Sequence, residues 1–230
     1  MTVILVLLTF VGFLVIDHFY SKGRAVQPIL VQAPVRSEAM VEAEVAPRLR
    51  PSMVSGFQVP ENVRYHPGHT WALSESPNLV RVGMDDFATK VLGKVEKVSL
   101  PQRGQWIRQG QKMVTVERNG VKFDLVSPIE GSVADINEAV AQNPEAARKD
   151  PYGDGWLITV QAPDSKTNFR NLLGGALARG WVEEAAARLQ RRMPQFAGAL
   201  AQDGGVIVDD LAKEIPESDY VAMAREFFLC

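Results

Sequence analysis

The chain has 230 residues, 46 % of them hydrophobic, with 25 basic against 27 acidic side chains and a formal net charge of −2. That length accommodates a tether, one domain of about 100 to 150 residues and an appendage, and with no basic tail to neutralise phosphates, no nucleic-acid partner is expected. The lone cysteine, Cys230, excludes an intramolecular disulfide and a cysteine-cluster metal site.

Thr2 to Ile16 is almost wholly apolar, and Phe19 and Tyr20 extend the run past Asp17 and His18. About 20 helical residues cross a bilayer's hydrocarbon core, so residues 1–21 read as an uncleaved transmembrane anchor. A cleaved signal peptide needs positive charge before the apolar run and small residues at a cleavage site, and neither is present. Lys22 and Arg24 follow the run, which places the soluble part on the cytoplasmic side by the positive-inside tendency. Residues 22–56 read as a linker, since Pro28, Pro34, Pro47 and Pro51 interrupt any long helix.

From Phe57 the texture changes to short strand-like runs: Leu79 to Val82, Val95 to Leu100, Lys112 to Glu117, Val121 to Val126, Ser132 to Ile136 and Leu157 to Val160. Turn residues separate them, which predicts a compact, mostly-β barrel or sandwich over residues 57–166. Asp85 to Leu92 interrupts as a helix, with Asp85 or Asp86 as N-cap and Gly93 as stop. Residues 167–230 read as helical. Leu173, Leu177, Trp181, Ala185 and Leu189 recur every four residues, and a last helix from Ser218 places Tyr220, Met223, Ala224 and Phe227 on one face. Such stripes are expected to pack on the neighbouring domain, the alternative being an exposed partner-binding face.

The most informative segment is a hairpin with Asn119-Gly120 at its tip, a pair that tolerates the positive φ of a two-residue type I′ turn. That turn predicts the pairs Arg118 with Val121, Glu117 with Lys122, Val116 with Phe123, Thr115 with Asp124 and Val114 with Leu125. Alternation then turns Val114, Val116, Phe123 and Leu125 inward and Glu117, Lys122, Thr115 and Asp124 outward.

This hairpin and the motifs around it resemble the H protein of the glycine cleavage system, a barrel-sandwich hybrid of the lipoyl and biotinyl type. The resemblance runs from Arg64 to Asp164. It rests on His69-Thr70-Trp71, Val82-Gly83-Met84-Asp85-Asp86-Phe87-Ala88 leading to Leu92-Gly93, and Val98-Ser99-Leu100-Pro101. Ser127-Pro128-Ile129-Glu130-Gly131, Asn137-Glu138 through Asn143-Pro144, and Asp150-Pro151-Tyr152-Gly153-Asp154-Gly155-Trp156-Leu157 follow in order. The resemblance implies a carrier bearing lipoate as an amide on a lysine at the hairpin tip. The family pattern runs from a glutamate to that lysine and on to a proline. Glu117 and Pro128 match its ends without a gap, and the lysine position is Gly120.

Glycine has no amine, so no cofactor is expected at Gly120. Lys122 is the nearby alternative attachment point, and the competing expectation is an ordinary cross-strand charge pair with Glu117. His66 and His69 flank Pro67-Gly68, a spacing that does not align two ligands on a helix, so no metal site is expected. Asp85-Asp86 is read as a helix cap rather than an acid–base pair. Gly204-Gly205 and Asp209-Asp210 are read as loop and cap, and no phosphate-binding loop or dinucleotide fingerprint occurs. The reading that follows is not an enzyme. It is a noncatalytic, non-lipoylated module tethered to the membrane, serving as scaffold or subunit of a membrane-associated complex, electron transfer included. The alternative is a lipoyl-type carrier modified at Lys122. A third idea is a groove that accepts a lipoylated arm from another protein.

Overall fold

The computed structural model describes residues 49–193 and 217–228. The readings of an anchor over 1–21, of most of the linker, of Gly204-Gly205 and Asp209-Asp210, of the Met223 side chain and of Cys230 lie outside the described residues. Among the described residues, no helix is long and apolar enough to cross a membrane.

The first elements are two-residue strands, β1 (Met53–Val54) and β2 (Phe57–Gln58), joined through Ser55 and Gly56 at φ 49° and 83°. β1 falls within the stretch read as a linker. Val54 and Phe57 are buried, and that burial draws the stretch onto the domain. β3 (Arg64–His66), β4 (Thr70–Ser76) and β5 (Leu79–Met84) follow as an antiparallel meander. Then comes α1 (Asp86–Leu92), with Asp85 as N-cap, its Oδ1 accepting from Ala88 N at 2.7 Å, and Gly93 at φ 65° closing the helix. The capping expectation for the aspartate pair is therefore met by Asp85.

β6 (Lys97–Ser99), β7 (Trp106–Ile107), β8 (Lys112–Arg118), β9 (Val121–Val126) and β10 (Gly131–Ile136) continue the chain. Two short helices, α2 (Glu138–Gln142) and α3 (Glu145–Lys149), precede β11 (Ile158–Gln161). Six strands form one sheet in the order β3-β4-β5-β11-β10-β7, and β6-β8-β9 form a second. All pairs are antiparallel, and irregularities at Ser74/Ser76 and Val133/Asp135 let the larger sheet curl into a half-barrel. Val80, Val82, Ile158 and Val160 from the larger sheet and Val114, Val116, Phe123 and Leu125 from the smaller fill the core.

One tryptophan locks the curl. Trp71 is fully buried, and its Nε1 donates to Met84 O at 2.8 Å and Pro151 O at 3.0 Å, tying β4 to the turn before β11. Gly83 makes room for it, because a Cβ there would stand 2.6 Å from the indole ring. Asp150 anchors the same turn by accepting from Gly153 N at 3.1 Å and Asp154 N at 3.0 Å.

After α4 (Ser165–Arg170) come α5 (Ala176–Arg192) and α6 (Glu217–Phe228). The buried stripe of α5 is Ala178, Val182, Ala185, Ala186 and Leu189. The four-residue series holds at Trp181, Ala185 and Leu189, with Trp181 half-buried against Tyr65 and His69, and is corrected at its start. Leu173 lies before the helix in a β-bridge to Tyr65, and Leu177 is 72 % exposed. Gly174 and Gly175 break the series, since the helix begins only after Gly175 at φ 57° and its phase is set from there. On α6, Tyr220, Ala224 and Phe227 are buried, as the face predicted from sequence requires.

Candidate functional site

The β8–β9 hairpin adopts the predicted register at all five pairs, Arg118 with Val121 through Val114 with Leu125. Asn119 at φ 49° and Gly120 at φ 74° make the two-residue turn whose twist matches that of the strands. An irregularity between Lys112 and Val114 ends the strict alternation at the base. Val114, Val116, Phe123 and Leu125 are wholly buried, so the inward face is as predicted.

The outward face carries the chemistry. Thr115 Oγ1 donates to Asp124 Oδ1 at 2.7 Å, and Lys112 Nζ reaches the same oxygen at 2.9 Å. Burial pushes the Asp124 carboxyl up, but the Lys112 and Thr115 hydrogen bonds outweigh it and hold the group below the usual carboxylate range. Further out, Glu117 stands opposite Lys122 on one side and Lys97 on the other. Among the described residues it forms an ion pair with neither. The expected Glu117–Lys122 charge pair is therefore present as a register match and absent as a contact. Exposed pairs gain only about 0–1 kcal/mol and cost side-chain entropy, so backbone register does not compel them to close.

Lys122 is thus an exposed amine two residues past the tip with no ionic partner among the described residues. Gly120 is exposed, and a Cβ added there would meet nothing within 4 Å. A primary amine in that setting can form an amide with an activated acyl group while the hairpin holds it away from the core.

What sequence reasoning missed lies beneath the tip. Arg118 is buried, its Nη1 donates to Leu92 O at 2.6 Å, and its guanidinium lies 5.0 Å from the centre of the Tyr220 ring. Tyr220 donates to the same Leu92 carbonyl at 3.2 Å and meets the Phe123 ring edge-on at 5.7 Å. The hairpin is therefore braced from below by α1 and α6. A signal for this exists in the sequence, because alternation puts Arg118 on the inward face with Val116, where an arginine needs a carbonyl and a ring to satisfy it.

The other sequence candidates gather around α1. His69 at φ 58° is buried, its Nδ1 donates to Asp85 Oδ2 at 2.8 Å, and its ring lies between Phe87 at 4.3 Å and Trp181 at 4.5 Å. His66 instead accepts from Gly68 N at 3.0 Å. The two histidines hold different partners. Asp86 Oδ2 accepts from Gln58 N at 2.8 Å and from Lys90 Nζ at 2.8 Å, while Lys90 also reaches Gly56 O at 3.3 Å. Burial raises the Asp86 carboxyl, against the pull of Lys90. Tyr152 donates to Gln58 O at 2.7 Å, and burial pushes its hydroxyl well above the usual phenol range. These groups hold the ribbon β1–β2 onto α1.

Comparisons with known proteins converge on one family. The family model described as Glycine cleavage H-protein matches residues 63–184. A glycine cleavage system H protein from Anaeromyxobacter sp. (strain K) is 35 % identical over 128 residues, which is 56 % of this chain and 98 % of the relative. One from Halorhodospira halophila is 38 % identical over 108 residues, 47 % of this chain and 83 % of the relative. The crystal structure of a glycine cleavage system H protein from Mycobacterium marinum aligns with a TM-score of 0.47 at 30 % identity, over 53 % of this chain and 97 % of that one.

Proposed function

This chain belongs to the glycine cleavage H-protein family, and from that premise we propose that it is a lipoyl-type carrier whose attachment amine is Lys122. A glycine cleavage H protein is a carrier and not an enzyme. The observation that carries the reading is the exposed Lys122 on the hairpin, in register with Glu117 yet engaged in no ion pair among the described residues. Acylation at Nζ would neutralise a charge that no described neighbour relies on. Mass spectrometry of the full chain from its native host, or co-expressed with a lipoate ligase, tests it. A lipoyl group on Lys122, lost in Lys122→Arg, is expected, and a chain unmodified under both conditions overturns the reading.

A second reading is favoured by Gly120, which stands where the gap-free spacing from Glu117 to Pro128 puts the family's lysine. On it the chain is a noncatalytic, non-lipoylated module, a scaffold or subunit of a membrane-associated complex that includes electron-transfer assemblies. Under both readings residues 1–21 anchor the chain to the membrane, the stretch from residue 22 up to the β1–β2 ribbon spaces it off, and the barrel-sandwich hybrid of the lipoyl type, read over residues 57–166 and joined by that ribbon, faces the cytoplasm. Carbonate extraction and protease accessibility of native membranes test the anchor and its orientation. Recovery of a defined partner in mild detergent supports the second reading, and recovery as a lone unmodified monomer counts against it.

A further inference from the structure

Away from the hairpin, a pocket of about 370 Å³ opens between β7, the turn before β10, and α4. Its wall includes Trp106, on the two-residue strand that ends the larger sheet, and this side chain is 52 % exposed. The indole makes no ring contact and no hydrogen bond with the described residues. An aromatic surface of that size left open at a pocket mouth is the kind of anchor that interfaces use.

The amides lining the pocket are already engaged with one another and with the backbone. Gln109 Nε2 donates to Pro128 O at 2.8 Å and Asn168 O at 2.9 Å, and its Oε1 accepts from Asn171 Nδ2 at 2.8 Å. Asn168 Oδ1 accepts from Glu130 N at 2.9 Å, and its Nδ2 donates to Asp164 O at 2.7 Å. These bonds fix α4 against the turns that flank β7, so the pocket is a preformed shape.

Two carboxylates line it, and no basic side chain does. Asp164 accepts from Thr167 N at 3.2 Å, and the Thr167 hydrogen bonds hold its carboxyl below the usual range with Arg170 adding a smaller pull, so it is ionised at neutral pH. Glu130 is half-buried, and its carboxylate has no hydrogen-bond or ion-pair partner among the described residues. A half-buried anion beside an open indole is an incomplete arrangement. A cation laid on the ring and held by the carboxylate would complete it.

The geometry points to a docking pocket for the basic side chain of a protein partner, with a planar guanidinium stacked on Trp106 and hydrogen-bonded to Glu130. The pocket is separate from the hairpin and does not depend on Lys122 being modified. It is a place where a partner can be held while the β8–β9 tip stays open.

Label the full chain with 5-fluorotryptophan in non-ionic detergent, assign Trp106 with Trp106→Phe, and titrate with acetyl-Gly-Arg-Gly-amide and its citrulline counterpart. A saturable shift of the Trp106 resonance by the arginine peptide alone is expected. Glu130→Gln should weaken it by roughly tenfold, in keeping with the worth of a charge-assisted contact, with an unchanged unfolding midpoint showing that the fold is intact. Equal shifts by the citrulline peptide, an arginine response that survives Glu130→Gln, or no saturable shift would each overturn the proposal.

Discussion

Around α1 the domain buries its polar groups and satisfies them: Asp85 caps the helix and holds His69, Asp86 holds Gln58 and Lys90, and Tyr152 reaches Gln58. At the β8–β9 tip the same domain leaves its groups exposed, with Gly120 facing open space and Lys122 outside any described ion pair. The first region is over-determined, each group being held by several others. The second is braced from beneath, where Arg118 and Tyr220 meet on the Leu92 carbonyl. Rigid scaffold and free tip are what a carrier or docking domain requires, and substitutions should separate them.

The sharpest break in the contrast is Asp86→Ala, which leaves the Lys90 ammonium buried without its carboxylate. Unfolding in urea should show a loss of about 3–5 kcal/mol, the usual cost of orphaning one member of a buried pair. Gly83→Ala drives a methyl into the Trp71 ring and should cost about 2–3 kcal/mol through overpacking. Neither should affect the hairpin once the protein is folded.

Alkaline titration probes the same scaffold. Burial raises the hydroxyls of both Tyr65 and Tyr152 above the ordinary phenol value. A group whose folded pKa is raised contributes stability that is fully present below its unfolded value, near pH 10, and lost as pH rises towards the folded value. Stability should therefore fall above about pH 10 by roughly 1.4 kcal/mol per pH unit for each tyrosine. Tyr65→Phe or Tyr152→Phe should remove one group's share, which denaturation curves between pH 9 and about 11 would read.

At the tip the effects should be smaller. Gly120→Lys forces a side chain into positive φ with nothing to clash against, so it should cost only about 1 kcal/mol, measured in urea. If the ligase recognises the tip, that variant also acquires a lipoyl group at position 120. Lys122→Arg should leave stability unchanged within about 0.5 kcal/mol while removing any adduct. A large loss would mean that Lys122 belongs to the scaffold after all.

Much of the hairpin is legible in the residues themselves, because Asn119-Gly120 permits few turns and a period of two then assigns every side chain to a face. The α1 cap is legible for the same local reason. The α5 stripe is legible only at Trp181, Ala185 and Leu189, since the helix starts only after Gly175 and Leu173 pairs with Tyr65 instead. The ribbon at Met53–Val54 is not legible, and β2 and α1 hold it in place although its own residues carry little strand signal.

Taken alone, then, the sequence determined the family resemblance, the strand succession, the turn and the glycine at its tip, all of which depend on neighbours within a few residues. The tertiary structure decided that Arg118 is braced by Leu92 and Tyr220, that Glu117 and Lys122 form no ion pair among the described residues, and that Trp106 stands open beside Glu130. Those outcomes depend on groups distant in the chain competing for the same carbonyl, the same charge or the same surface, and only the packed chain settles such a competition.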